Sequence, residues 1–190
     1  MNAVLRQAPN ILSALRLLAA PLAARLIWQQ EDWAALSVFV AAGASDALDG
    51  FLAKRFGLSS RFGAWLDPAA DKLLMLASFV SLTLAGAVPL WLTGLVIGRD
   101  VFIVLGVLLA RVLELPLEVK PLIVGKASTV VQVVYVALTL LLLALNLHRP
   151  AIELTGAAAV TVLAVWSFLA YAQLWLKAAS RRAPQGDGAA

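Results

Sequence analysis

The sequence predicts an all-α, polytopic membrane protein with six transmembrane helices and both termini in the cytoplasm. Of its 190 residues, 62% are hydrophobic and 14% are charged, and the mean hydropathy is +0.90. Soluble globular domains contain about 45–50% apolar and about 25% charged residues, so this composition excludes that class. The chain has no cysteine, which excludes disulfides and thiolate metal ligands.

Six apolar runs are each long enough to cross a bilayer, which takes about 20 residues of helix. The runs cover residues 11–28, 33–56, 64–88, 90–111, 122–147 and 151–176. Arg16 and Arg25 interrupt the first run, which favours a retained span over a cleaved signal peptide.

Short polar or glycine-bounded connections separate the runs, for example residues 29–32, 57–63 and 148–150. Short connections make consecutive helices antiparallel neighbours, so we predict one membrane domain over residues 1–177. Residues 178–190 are rich in small and polar side chains, and we predict a disordered cytoplasmic tail there.

Basic residues concentrate on one side of the predicted bilayer. Nine of them fall on one face: Arg6, Lys54, Arg55, Arg61, Arg111, Lys120, Lys177, Arg181 and Arg182. The opposite face has only Arg149. Short cytoplasmic loops carry an excess of Lys and Arg, so the basic face is assigned to the cytoplasm. We therefore predict an inner (plasma) membrane protein with a cytoplasmic site, surrounded by membrane lipids and without a nucleic-acid partner.

Four aspartates lie at the ends of the second and third spans, where a charged side chain costs about 2.5–3.5 kcal/mol on insertion. Asp46 and Asp49 are three residues apart, and Asp67 and Asp71 are four apart. Such spacings put each pair on one helix face. Because the intervening connection is short, the two acidic faces can meet in a helical hairpin.

Bare carboxylates gathered in a low dielectric repel one another, and divalent cations remove that repulsion. The sequence has no cysteine and only His148, placed in an outer loop, so oxygen ligands would select Mg²⁺, Mn²⁺ or Ca²⁺. Two such ions can clamp a pyrophosphate, and Gly50 and Gly63 leave the backbone open to a bulky ligand. The structural alternatives are salt bridges to nearby basic residues and tight packing of small residues.

These residues resemble the signature of the CDP-alcohol phosphatidyltransferases, D-x2-D-G-x2-A-R-x8-G-x3-D-x3-D. Its fixed positions correspond here to Asp46, Asp49, Gly50, Ala53, Lys54, Gly63, Asp67 and Asp71. The spacing matches throughout, and seven of the eight residues match. The exception is Lys54, where the family has arginine. Lysine keeps the charge but lacks the planar fork for bidentate phosphate binding, a role that the adjacent Arg55 could take.

The resemblance implies a six-helix, homodimeric enzyme that moves a phosphatidyl group from CDP-diacylglycerol to an alcohol and releases CMP. It implies two divalent ions, Mg²⁺ or Mn²⁺, held by Asp46, Asp49, Asp67 and Asp71. Asp71 is also implied as the general base that takes the proton of the acceptor hydroxyl. The residues implied to contact the CDP group are Asp49, Gly50, Ala53, Lys54, Arg55 and Gly63.

Other motifs resemble the branch of this family that makes phosphatidylglycerophosphate and cardiolipin. They are residues 9–16 with Pro21, residues 98–101 and residues 125–132. Arg99 and Lys126 are the predicted acceptor-binding residues, since an acceptor that carries a phosphate needs nearby cations. Phosphatidylglycerol and glycerol 3-phosphate both carry a phosphate, and the residues of the motifs at 98–101 and 125–132 favour phosphatidylglycerol as the acceptor. A cation-coupled transporter is the alternative from another class, although the sequence shows no related halves.

Overall fold

The computed structural model consists of six helices over the residues it describes. It describes the backbone of residues 3–56, 63–113 and 122–182, and the side chains of residues 13–45, 67–110, 112–113 and 122–177. The helices are α1 (Ala3–Trp28), α2 (Asp32–Phe56), α3 (Gly63–Leu84), α4 (Leu90–Val112), α5 (Ile123–Ala144) and α6 (Pro150–Arg182). These ranges contain no strand, so the predicted all-α class and the order of six helices are confirmed.

Three of the described helices are long and apolar enough to cross a membrane. The apolar stretches are Leu90–Ala110, Ile123–Ala144 and Pro150–Lys177, and α2 adds a shorter one, Asp32–Ser45. Large side chains on α4 and α6, such as Leu105, Leu109 and Leu169, are more than half exposed. Apolar surface left uncovered to this extent indicates a membrane protein. Spans through α1, α2 and α3 and the sidedness of the termini stay predictions.

The chain forms two compact units. The first contains Met1–Leu90 and Val133–Glu153, and the second contains Trp91–Gln132 and Leu154–Ala190. In the first unit, α1 packs against both α2 and α3. Buried alanines at Ala20, Ala23 and Ala35 allow close approach of these helices. Phe79 of α3 stacks on Tyr135 of α5 at 6.2 Å between ring centroids.

Three helices end in the same way, at residues in the left-handed region. Gln30, Gly86 and Asn146 have φ values of 59°, 79° and 52°. In each case the next N–H reaches back five residues to a helix carbonyl, at 3.0, 2.9 and 2.9 Å respectively. This is the Schellman arrangement, which satisfies carbonyls that a helix end leaves without partners. It explains why α3 and α5 stop before the limits predicted from hydropathy.

In the second unit, α4 and α6 approach each other closely. A Cβ atom placed on Gly106 would lie 2.6 Å from Trp175 Cε2, so any larger residue there would require the indole ring to move. Phe102 and Phe168 add an aromatic contact at 4.4 Å between centroids. Helix α6 continues to Arg182, into the segment predicted as a tail, and the rest of that segment lies outside the described residues.

Candidate active site

Most of the predicted CDP and metal residues lie where the structure describes the backbone alone. They are Asp46, Asp49, Gly50, Ala53, Lys54, Arg55 and Gly63. The backbone places the first six on the C-terminal part of α2 and makes Gly63 the first residue of α3. Their side chains lie outside the described residues, so their roles stay predictions.

The other two aspartates lie in the second and third turns of α3 and contact α1. The Ser13 hydroxyl donates a hydrogen bond to Asp67 Oδ1. Arg16 Nη1 donates to Asp71 Oδ1 at 2.6 Å, which also makes the two side chains an ion pair. Ser13 and Arg16 are 0% and 2% exposed, whereas the Asp71 side chain is 44% exposed. Asp71 is therefore held from one side and accessible from another.

The residue spacing on both helices explains these two contacts between α1 and α3. Ser13 and Arg16 are three residues apart on α1, and Asp67 and Asp71 are four apart on α3, so each pair lies along one helix face. Burial of a guanidinium without a counter-charge is strongly unfavourable, and the Asp71 carboxylate supplies that counter-charge. In the sequence, the one sign of this contact is Arg16 within an apolar run, which by itself does not identify Asp71 as its partner.

The donor set of this site fits a hard divalent cation. Asp67 and Asp71 offer carboxylate oxygens a turn apart, the ligand type that Mg²⁺ and Mn²⁺ prefer. Among the side chains that the structure describes, no three His, Cys, Asp or Glu residues come together. A complete ligand set would therefore need Asp46 and Asp49 of α2 in addition.

Arg99, a predicted acceptor residue, lies in the second unit and is 4% exposed. Its Nε and Nη2 donate to Ser167 Oγ at 3.1 and 2.6 Å. Nη1 donates to Asp100 Oδ1 at 2.6 Å, and Nη2 also reaches the Gly125 carbonyl at 3.3 Å. Every guanidinium nitrogen thus donates at least one hydrogen bond within the unit, and these bonds use four of the five N–H donors of Arg99.

Lys126, the second predicted acceptor residue, follows Gly125 in the first turn of α5. Its side chain is exposed. It belongs to the same unit as Arg99, whereas Asp67 and Asp71 belong to the other. The acceptor roles of Arg99 and Lys126 stay predictions.

A cavity of about 570 Å³ lies at the other end of the first unit, where α1 and α3 end. Its polar lining includes Asp32, His148 and Glu153, and burial raises the pKa of the Asp32 carboxyl above its usual value. His148 Nδ1 lies 3.3 Å from Glu153 Oε1. Ile27 in the cavity wall is about 16 Å along α1 from Arg16, given a rise of about 1.5 Å per residue. None of the predicted site residues is among the described residues that line the cavity.

Comparison with known proteins gives one consistent family. A sequence model described as CDP-alcohol phosphatidyltransferase matches residues 6–177. Over 148 residues the chain is 36% identical to a Rattus norvegicus protein named cardiolipin synthase (CMP-forming), a match covering 70% of this chain and 49% of that protein. The chain therefore spans about half the length of that relative.

The matches to two bacterial relatives cover a larger share of the relative's own length than the match to the rat protein does. A Streptomyces coelicolor protein named cardiolipin synthase (CMP-forming) is 42% identical over 128 residues, covering 64% of this chain and 59% of that protein. A Mycobacterium tuberculosis protein named probable phosphatidylglycerophosphate synthase is 34% identical over 163 residues, covering 78% and 73% respectively.

Proposed function

Because the chain belongs to the CDP-alcohol phosphatidyltransferase family, we propose that it transfers a phosphatidyl group from CDP-diacylglycerol to a glycerol-type alcohol and releases CMP. The observation that carries the proposal is the pair Asp67 and Asp71, set at the family spacing on α3 and held by α1. We propose phosphatidylglycerol as the acceptor, in line with the names of the rat and Streptomyces relatives. Glycerol 3-phosphate is the second candidate, in line with the mycobacterial relative.

The reaction needs a base beside a site that binds pyrophosphate. Asp46, Asp49, Asp67 and Asp71 would hold two Mg²⁺ or Mn²⁺ ions. Such ions stabilise the charge that develops on the pyrophosphate and on the leaving CMP. Asp71 accepts the proton of the acceptor hydroxyl while that oxygen bonds to the lipid-side phosphorus and the bond from this phosphorus to the CMP oxygen breaks. The accessible carboxylate of Asp71 suits this task.

We also propose that all six helices cross the inner membrane, that both termini and the site face the cytoplasm, and that the enzyme is a homodimer. The uneven distribution of Lys and Arg supports the orientation. The chain has no cysteine, so single introduced cysteines report sidedness without background. In intact cells, we expect an impermeant maleimide to label His148→Cys and to leave Lys177→Cys unlabelled. The reverse pattern would contradict the orientation.

The reaction is tested with purified protein, CDP-diacylglycerol, Mg²⁺ or Mn²⁺, and either phosphatidylglycerol or glycerol 3-phosphate. We expect CMP release with phosphatidylglycerol and formation of cardiolipin. Asp71→Asn should retain the helical circular dichroism spectrum and lose CMP release, because the amide cannot accept the proton. Product from neither acceptor would refute the proposed reaction, and near-normal turnover of Asp71→Asn would remove this residue as the base.

A further inference from the structure

Among the side chains of α1 that the structure describes, two polar ones are buried, and the exposed surface near them is mostly apolar. Leu15, Leu17 and Leu18 around them are exposed, whereas Ser13 and Arg16 are buried against the aspartates of α3. An arginine in an apolar segment is expensive, so its presence calls for a function. The site as proposed above uses the aspartates but gives neither α1 residue a role.

The two contacts differ in charge. Arg16 brings a full positive charge to within 2.6 Å of an Asp71 oxygen. Ser13 donates a hydrogen bond to Asp67 but brings no charge. The negative charge of Asp67 therefore remains available to a divalent cation at this contact, whereas that of Asp71 is balanced by a fixed guanidinium. A divalent cation is accordingly drawn more strongly to Asp67 than to Asp71.

We propose that Ser13 and Arg16 are positioning residues that divide the roles of the two carboxylates. Ser13 orients Asp67 as a metal ligand, and Arg16 orients Asp71 as the base. This inference rests on the proposed function, since it assigns Asp71 to proton transfer. A purely structural contact between α1 and α3 would make no such distinction between the two aspartates.

The test compares Ser13→Ala, Arg16→Gln and Arg16→Lys with the control Arg25→Gln, an exposed arginine on the same helix. Mn²⁺ binding without substrate is measured by electron paramagnetic resonance, and CMP release gives kcat and KM. Size-exclusion chromatography and circular dichroism confirm folding of each variant. If Arg16→Gln does not fold, the kcat and Mn²⁺ affinity of Arg16→Lys are compared with those of Ser13→Ala instead. Lysine keeps the positive charge but lacks the planar, two-pronged donor group of arginine.

We expect Ser13→Ala to weaken Mn²⁺ binding by about 10-fold, the lower end of effects seen when partners of metal ligands are removed. Its loss of turnover at low Mn²⁺ should recover as Mn²⁺ is raised. Arg16→Gln should lower kcat by about 100-fold, as expected for a misplaced base, with no recovery at high Mn²⁺. Arg16→Lys should restore part of that kcat, and Arg25→Gln should match the wild type in both measurements.

Two results would overturn the inference while leaving the proposed reaction intact. One is the reverse pattern, in which Arg16→Gln loses Mn²⁺ affinity and regains turnover at high Mn²⁺. The other is a loss of thermal stability alone, with kcat and Mn²⁺ affinity unchanged in both variants. If instead the wild-type protein releases no CMP with either acceptor, the proposed function fails, and the assignment of Asp71 as the base fails with it.

Discussion

Ser167→Ala tests whether the buried Arg99 depends on the serine of α6. The substitution removes the acceptor of two guanidinium hydrogen bonds, at 3.1 and 2.6 Å, in a place where Ser167 is fully buried and Arg99 nearly so. Hydrogen bonds to charged groups are each worth about 1.5–3 kcal/mol, and a buried donor without a partner adds a desolvation cost. Nη2 keeps the Gly125 carbonyl at 3.3 Å, which offsets part of the loss. We therefore expect a loss of about 3 kcal/mol in the free energy of unfolding.

The matched control is Thr161→Val on the same helix. Thr161 Oγ1 donates only to the Ala157 carbonyl one turn earlier, at 2.7 Å, so its loss should change stability by less than about 0.5 kcal/mol. Unfolding is followed by circular dichroism during titration of SDS into detergent micelles. If Ser167→Ala loses no more stability than Thr161→Val, the hydrogen bonds of Arg99 do not stabilise this unit. If Arg99 also binds the acceptor, the KM for acceptor should change in Ser167→Ala while the KM for CDP-diacylglycerol does not.

Three further predictions concern stability and metal dependence. Gly106→Ala should lower the free energy of unfolding by about 1–3 kcal/mol, because the new Cβ would lie 2.6 Å from the ring of Trp175. Gly94→Ala on the same helix has open space around the new Cβ and should raise the free energy of unfolding by about 0.5–1 kcal/mol. Gly86→Ala should lose about 1 kcal/mol despite open space, since its φ of 79° is unfavourable for alanine. The same SDS titrations measure all three substitutions. Equal changes in the free energy of unfolding would contradict both the steric explanation at Gly106 and the backbone explanation at Gly86. Removal of divalent cations with EDTA should abolish CMP release, and added Mn²⁺ should restore it; turnover in EDTA would exclude a metal requirement.

The six helices could be predicted from sequence because the hydropathy signal is local, whereas their limits could not. Hydropathy reports which residues favour lipid, and a helix can continue beyond them. Helix α1 accordingly begins at Ala3, well before the predicted span, and α6 continues to Arg182. The opposite error occurs at α3, which stops before the predicted limit because Gly86 adopts a left-handed conformation. Such a turn is decided by one backbone angle, to which mean hydropathy is insensitive.

The position of Asp67 and Asp71 on one face of α3 could also be predicted, because their helical spacing lies within a short stretch of sequence. Their partners could not, since Ser13 and Asp67 are 54 positions apart and Arg16 and Asp71 are 55 apart. Which face of α1 meets α3 depends on the rotation of one helix against another, and no local pattern specifies it. The same reason applies to Ser167, which is 68 positions from Arg99. A charged residue within an apolar run predicts that a partner exists, without identifying that partner.

Among the described side chains, each compact unit contains a buried arginine that pairs with an aspartate, and the two pairs differ in the accessibility of the carboxylate. In the first unit Arg16 contacts Asp71, whose side chain remains 44% exposed. In the second unit Arg99 contacts Asp100 at the same distance of 2.6 Å, but that side chain is only 19% exposed. A base must reach the hydroxyl it deprotonates, so an accessible carboxylate is required as well as a fixed one. The Asp71 pair satisfies both requirements, whereas the Asp100 pair mainly offsets the cost of burying an arginine.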